Sequence, residues 1–123
     1  MELRIEPGSA RFDALDDRWL TQVGEFVVEL NEEVGGVERL TEPVRGTKGS
    51  ASHIVLSLGS AGVLTAAVEF LKAWLGRDQT RSLKVTWTAD GGLQSVELSG
   101  TDLNKDVVDG VQQALAKGLG STG

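Results

Sequence analysis

The chain of 123 residues contains no cysteine, no tyrosine, one histidine, one methionine and two prolines. Without cysteine there is no disulfide framework, no thiolate zinc or iron–sulfur site and no cysteine nucleophile. A single histidine, His53, excludes a multi-histidine metal centre. Basic residues are also scarce: 12 Lys and Arg stand against 18 Asp and Glu, for a net charge of −6. Non-specific nucleic-acid binding depends on cations that neutralise phosphates, so the balance argues against nucleic acid as a partner. It argues equally against docking on anionic lipid. The opening Met1–Glu6 alternates charged with apolar residues, which is a strand pattern and not a basic-then-apolar leader. With no cysteine to protect or oxidise, the expectation is a cytoplasmic protein.

What is present suits one globular unit. Forty per cent of residues are hydrophobic, and the length fits one domain with one core. The expected domain spans residues 1–119, followed by a flexible tail from Gly120. Leu3 and Ile5 alternate with Glu2, Arg4 and Glu6 in a strand ended by Pro7-Gly8. From Leu15 to Val34 the period changes. Trp19, Val23, Phe26 and Leu30 recur at helical spacing, with Asp13 or Asp16 as N-cap and Gly35-Gly36 as the stop. Acidic residues suit the dipole at the first turn of this helix and oppose it at the last.

Val37–Glu42 reads as a short strand closed by Pro43. A glycine-bearing loop follows, Gly46-Thr47-Lys48-Gly49-Ser50. It lacks the Gly-Lys-Ser/Thr string of a phosphate loop, so a connector is expected. No charged residue lies between Lys48 and Glu69. Past Gly62, Thr65, Glu69, Lys72 and Gly76 form a narrow polar stripe, the mark of a helix buried on most sides by protein. Ile54–Leu58 fits either a buried strand or a broken helix. Leu83, Val85 and Trp87 alternate with Lys84, Thr86 and Thr88. Asp90-Gly91-Gly92 turns the chain, and Val96 and Leu98 alternate on the return. A last helix, capped by Thr101 or Asp102, carries Val107, Val108, Val111 and Leu115.

The expected architecture is α+β, in the order β-α-β-α-β-β-α. A mostly antiparallel sheet of about four strands packs against two to three helices. Asp13, Asp16 and Asp17 lack the spacing of a calcium loop and read as helix caps. His53 has no cysteine partner and reads as structural. Arg77, Arg81 and Lys84 are the one basic concentration, able to meet an acidic partner or a phosphate. Trp74 and Trp87 read as core, with Trp87 becoming an interface residue if it faces outward.

The second half resembles a known family. The apolar helix ends in Leu71-Lys72-Ala73-Trp74-Leu75-Gly76-Arg77, and the basic strand Arg81-Ser82-Leu83-Lys84-Val85 follows. The return strand closes in Val96-Glu97-Leu98-Ser99-Gly100 before the final helix. These segments, with the loop Gly46–Gly49, resemble the effector-associated constant component family of bacteria over about Thr47 to Leu119. The resemblance implies a small non-catalytic component without cofactor, encoded beside caspase-like or trypsin-like peptidase effectors and sometimes NTPase regulators in conflict and antiviral systems. The expected function is therefore a protein–protein adaptor, working through an apolar patch or through strand addition at an open edge. The first strand or the Val37–Glu42 strand is the expected edge. Interface candidates are Lys48, Trp74, Arg77, Arg81, Lys84 and Trp87. The alternatives are membrane association through the uncharged segment 49–68, a hydrolase using His53, and a small-molecule sensor domain.

Overall fold

The computed structural model describes residues 2–13, 16–43, 50–89, 92–101 and 104–121. Among these residues the order is β1 (Glu2–Ser9), α1 (Asp17–Glu33), β2 (Val37–Pro43), β3 (Ser50–Ser57), α2 (Ala61–Gly76), β4 (Arg81–Ala89), β5 (Gly92–Ser99) and α3 (Lys105–Ser121). The fold is α+β as expected, with five strands instead of about four. The additional strand is β3, so the ambiguous Ile54–Leu58 run belongs to a strand through Ser57. Gly59 and Ser60 then separate it from the helix that follows.

The strands form one antiparallel sheet in the order β2-β3-β1-β4-β5. Two hairpins flank β1, so β1 is the central strand and not an edge. The edges are β2, as one alternative expected, and β5. β1 also runs through Pro7-Gly8, which stand opposite Leu83 and Ser82 of β4. Its pairing with β3 stops at Ile5 opposite Ile54. Beyond that point β1 is paired on one side only, a place where a proline without an N–H is tolerated.

Inner and outer faces follow the period of two. Leu3, Ile5, Ile54, Leu56, Leu83, Val85 and Trp87 point to the helices and are buried. α1 adds Trp19, Val23, Phe26 and Leu30, and α2 adds Leu64, Ala67, Leu71, Trp74 and Leu75. α1 lies against α2 and β2, while α3 lies against α2 and β4.

The helix ends are set locally. The Asp16 carboxylate accepts from the Arg18 backbone N–H at 2.9 Å and caps α1. Its pKa is lowered, first by the side-chain bond from Arg18 and then by this backbone bond. Gly35 and Gly36 stop α1 at φ of +80° and +69°, a conformation that other residues rarely adopt. The Ser60 hydroxyl accepts from the Val63 N–H at 3.3 Å and caps α2. α3 begins later than the sequence suggests. Its cap is Asn104, which accepts from the Val107 N–H at 2.9 Å, and not Thr101, while Asp102 lies outside the described residues. It runs to Ser121, so Gly120 and Ser121 are helical. No helix among the described residues is long and apolar enough to cross a membrane, and the described part of segment 49–68, from Ser50 on, is divided between β3 and α2.

Candidate interaction surface

The motif residues converge on the connection between α2 and β4. Trp74 is 2% exposed. Phe26 meets it edge-on with ring centroids 4.8 Å apart, and Trp19 lies at 6.2 Å. The Arg81 guanidinium stacks 4.4 Å from the centre of the Trp74 ring. It donates to the Trp74 carbonyl at 3.0 Å and to Gln22 Oε1 at 3.1 Å. One side chain thus ties β4 to the end of α2 and to α1, using the planar fork and stacking face that lysine lacks.

Gly100 closes this junction from the far side. Its N–H donates to the Arg81 carbonyl at 2.9 Å. An added Cβ would sit 2.8 Å from the Asp78 carbonyl oxygen, 2.8 Å from Gln79 Cα and 2.9 Å from the Leu75 carbonyl oxygen. A glycine here lets two backbones approach. Between them, Asp78 Oδ1 accepts from the Thr80 N–H at 2.9 Å and from its hydroxyl at 2.7 Å. The Thr80 hydroxyl bond is the first cause, and the backbone bond the second, of a lowered Asp78 pKa. Trp74, Arg81 and Gly100, one from each of three motif segments, therefore form one structural knot.

The sequence candidates do not form a single patch. Trp74 lies in the core, and Arg81 is partly buried beneath it. Trp87 is 6% exposed on the inner face, which settles its orientation. Arg77 is exposed and pairs with Glu29 of α1 at 3.3 Å. That pair bridges a groove of about 490 Å³ between α1 and α2, lined by Glu29, Glu32, Glu33, Glu69, Phe70 and Arg77. Lys84 is exposed on the opposite face of the sheet, with Glu6 and Glu97 as its register partners on either side. Lys48 and the loop 44–49 lie outside the described residues.

The outer sheet face joins residues the sequence reading had left apart. One row across the strands runs Leu40, His53, Glu6, Lys84, Glu97, with His53 and Glu6 joined by side-chain contact beyond the end of the β1–β3 pairing, and the next runs Glu38, Val55, Arg4, Thr86, Ser95. His53 Nδ1 lies 3.4 Å from Glu6 Oε1, an ion pair when the imidazole is protonated. Leu40 and Leu93 are 41% and 75% exposed on this face. They border a depression of about 350 Å³ with Val55, Thr86 and Thr88. The signal was available in the phase of the strands: Leu40 shares the parity of Glu38 and Glu42, and Leu93 that of Ser95 and Glu97.

No curated protein and no solved structure matches this chain significantly. The family model described as Effector Associated Constant Component 1 matches residues 13–118. The match takes in α1 and β2, which precede the Thr47–Leu119 stretch that carried the resemblance, as well as the Trp74–Arg81–Gly100 knot. Spanning most of the sequence, it shows that the chain belongs to the Effector Associated Constant Component 1 family, an accessory component associated with effectors.

Proposed function

We propose that the protein is a non-catalytic adaptor that docks onto a peptidase effector, caspase-like or trypsin-like, in a cytoplasmic bacterial conflict system. An NTPase regulator is its further partner in some arrangements. Family membership supports association with an effector. The peptidase and the defence role extend that association along the lines the resemblance implies.

The observation that carries docking is the outer sheet face. Helices cover the inner face, whereas Leu40 and Leu93 remain 41% and 75% exposed on the other. Exposed apolar residues framed by polar ones mark interaction surfaces. Across the same face, Glu6, Lys84 and Glu97 alternate in sign from strand to strand, and Glu38 and Arg4 carry opposite charges in the next row. Such mixed charge contributes register and partner choice more than affinity.

Co-purification of the tagged chain with the peptidase encoded beside it tests the proposal. Near-stoichiometric recovery with the wild type, lost when Leu40→Lys and Leu93→Lys are combined, supports adaptor docking through this face. Recovery of no peptidase would remove the adaptor reading. Equal recovery by both proteins would move docking away from the face.

A further inference from the structure

The two lateral edges of the sheet differ in how they are protected. β2 carries Glu38, Arg39, Glu42 and Pro43 within seven residues. Charge and proline are common means of keeping an edge strand from pairing with foreign strands. β5, the other edge, has one charged residue, Glu97, among its eight, with no lysine and no proline. Leu93, Gln94, Ser95 and Glu97 are all exposed. β5 pairs with β4 on one side, so among the described residues the backbone N–H and C=O groups along its other side have no ladder partner in the sheet. An unguarded, exposed edge is a template for an added strand.

We propose that the free edge of β5, from Leu93 to Glu97, takes an extended segment of the partner protein as a sixth strand, with a basic residue beside Glu97 and an apolar residue beside Leu93. The inference rests on the adaptor reading and names the contact through which it operates. In strand addition the main chain provides affinity, and alternate side chains provide selectivity. On the outer face the added side chains stand beside Leu93, Ser95 and Glu97. Glu97 already has Lys84 as its register partner on the β4 side. A cation on its open side completes an alternating row.

The strand runs antiparallel, as do the neighbouring pairs throughout this sheet. An antiparallel segment meets Glu97 first, so it reads basic-x-small-x-apolar from N to C. A second copy of this chain fits less well. In symmetric pairing about Ser95, Glu97 would face Leu93 of the other copy, and each copy would bring a net charge of −6.

The probe is a display library of random short peptides selected against the whole protein. Enriched peptides are expected to share the basic-x-small-x-apolar pattern. Their affinity should fall about tenfold on Glu97→Lys and on Leu93→Asp, two exposed sites at which the urea midpoint checks that the fold is intact. Hydrogen exchange should slow at β5 amides when peptide binds. The proposal is overturned by peptides without the pattern, by no enrichment, by an affinity for both variants unchanged from the wild type, or by protection at β2 or at the helices. A wild-type dimer in light scattering that Leu93→Asp dissociates would assign the edge to a second copy and also overturn it. Effector recovery separates the two claims. Equal recovery by wild type and Glu97→Lys removes the edge and keeps the adaptor; no recovery removes the adaptor, and peptide selection alone then decides the edge.

Discussion

Replacing Gly100 with alanine is expected to destabilise the fold by about 2 kcal/mol. The new Cβ would stand 2.8 Å, 2.8 Å and 2.9 Å from three atoms that all belong to backbone. Carbon contacts are comfortable at about 3.5 Å and beyond, so each approach is short by roughly half an ångström or more. The opposing backbone is pinned by the Asp78 N–H to the Leu75 carbonyl at 3.4 Å and by the Arg81 N–H to the Asp78 carbonyl at 3.1 Å. Forcing a methyl into such a site costs about 1–3 kcal/mol. Weakening the bond from the Gly100 N–H to Arg81 adds about 1 kcal/mol. The stiffer unfolded chain returns about 0.4–1 kcal/mol. The balance corresponds to a fall of about 8 °C in Tm for a domain of this size. Urea unfolding followed by the fluorescence of buried Trp19, Trp74 and Trp87 measures it, with a lower midpoint and an unchanged slope. Gly110→Ala is the comparison, because a Cβ there meets nothing within 4 Å in the interior of α3. That change should stabilise by about 0.5–1 kcal/mol. If Gly100→Ala matches the wild type, or shifts with Gly110→Ala, the close-approach reasoning is wrong.

Arg81→Lys should unfold about 1–2 kcal/mol more easily than the wild type, because a lysine cannot hold the Trp74 carbonyl and Gln22 while stacking on the indole. A midpoint unchanged from the wild type would reduce Arg81 to a surface charge. Asp78 contributes through acid sensitivity. Its folded pKa lies below the ordinary 3.8, so its contribution is complete above that value and is lost as pH falls through the folded pKa. Asp78→Asn should therefore flatten the loss of stability below about pH 4, and an acid unfolding curve as steep as the wild type would contradict the assignment.

The elements were legible because their causes are local. The four- and three-residue spacing of Trp19, Val23, Phe26 and Leu30 needs a helix to bury it. The Asp16 cap and the two positive-φ glycines end that helix without tertiary help. The β4–β5 hairpin follows from alternation on either side of Asp90-Gly91, and its register closes with Ala89 opposite Gly92. The Ile54–Leu58 run was illegible alone, because a short apolar segment satisfies a buried strand and a buried helix equally. Only pairing with β1 and β2 makes it β3.

Residue chemistry alone excluded thiolate and multi-histidine sites and set the acidic balance. The family motif was visible in the same way, but its meaning was not. Trp74, Arg81 and Gly100 looked like separate marks in a sequence until the fold brought them together at one backbone crossing. Arg77, Arg81 and Lys84 looked like one basic patch, yet the period of two sends Lys84 to the opposite side of the sheet from Arg81. The strand order belongs to tertiary structure as well. Periodicity says which residues share a face, but not which strand lies at an edge. That depends on the long-range pairing that places β1 in the centre and leaves β5 open.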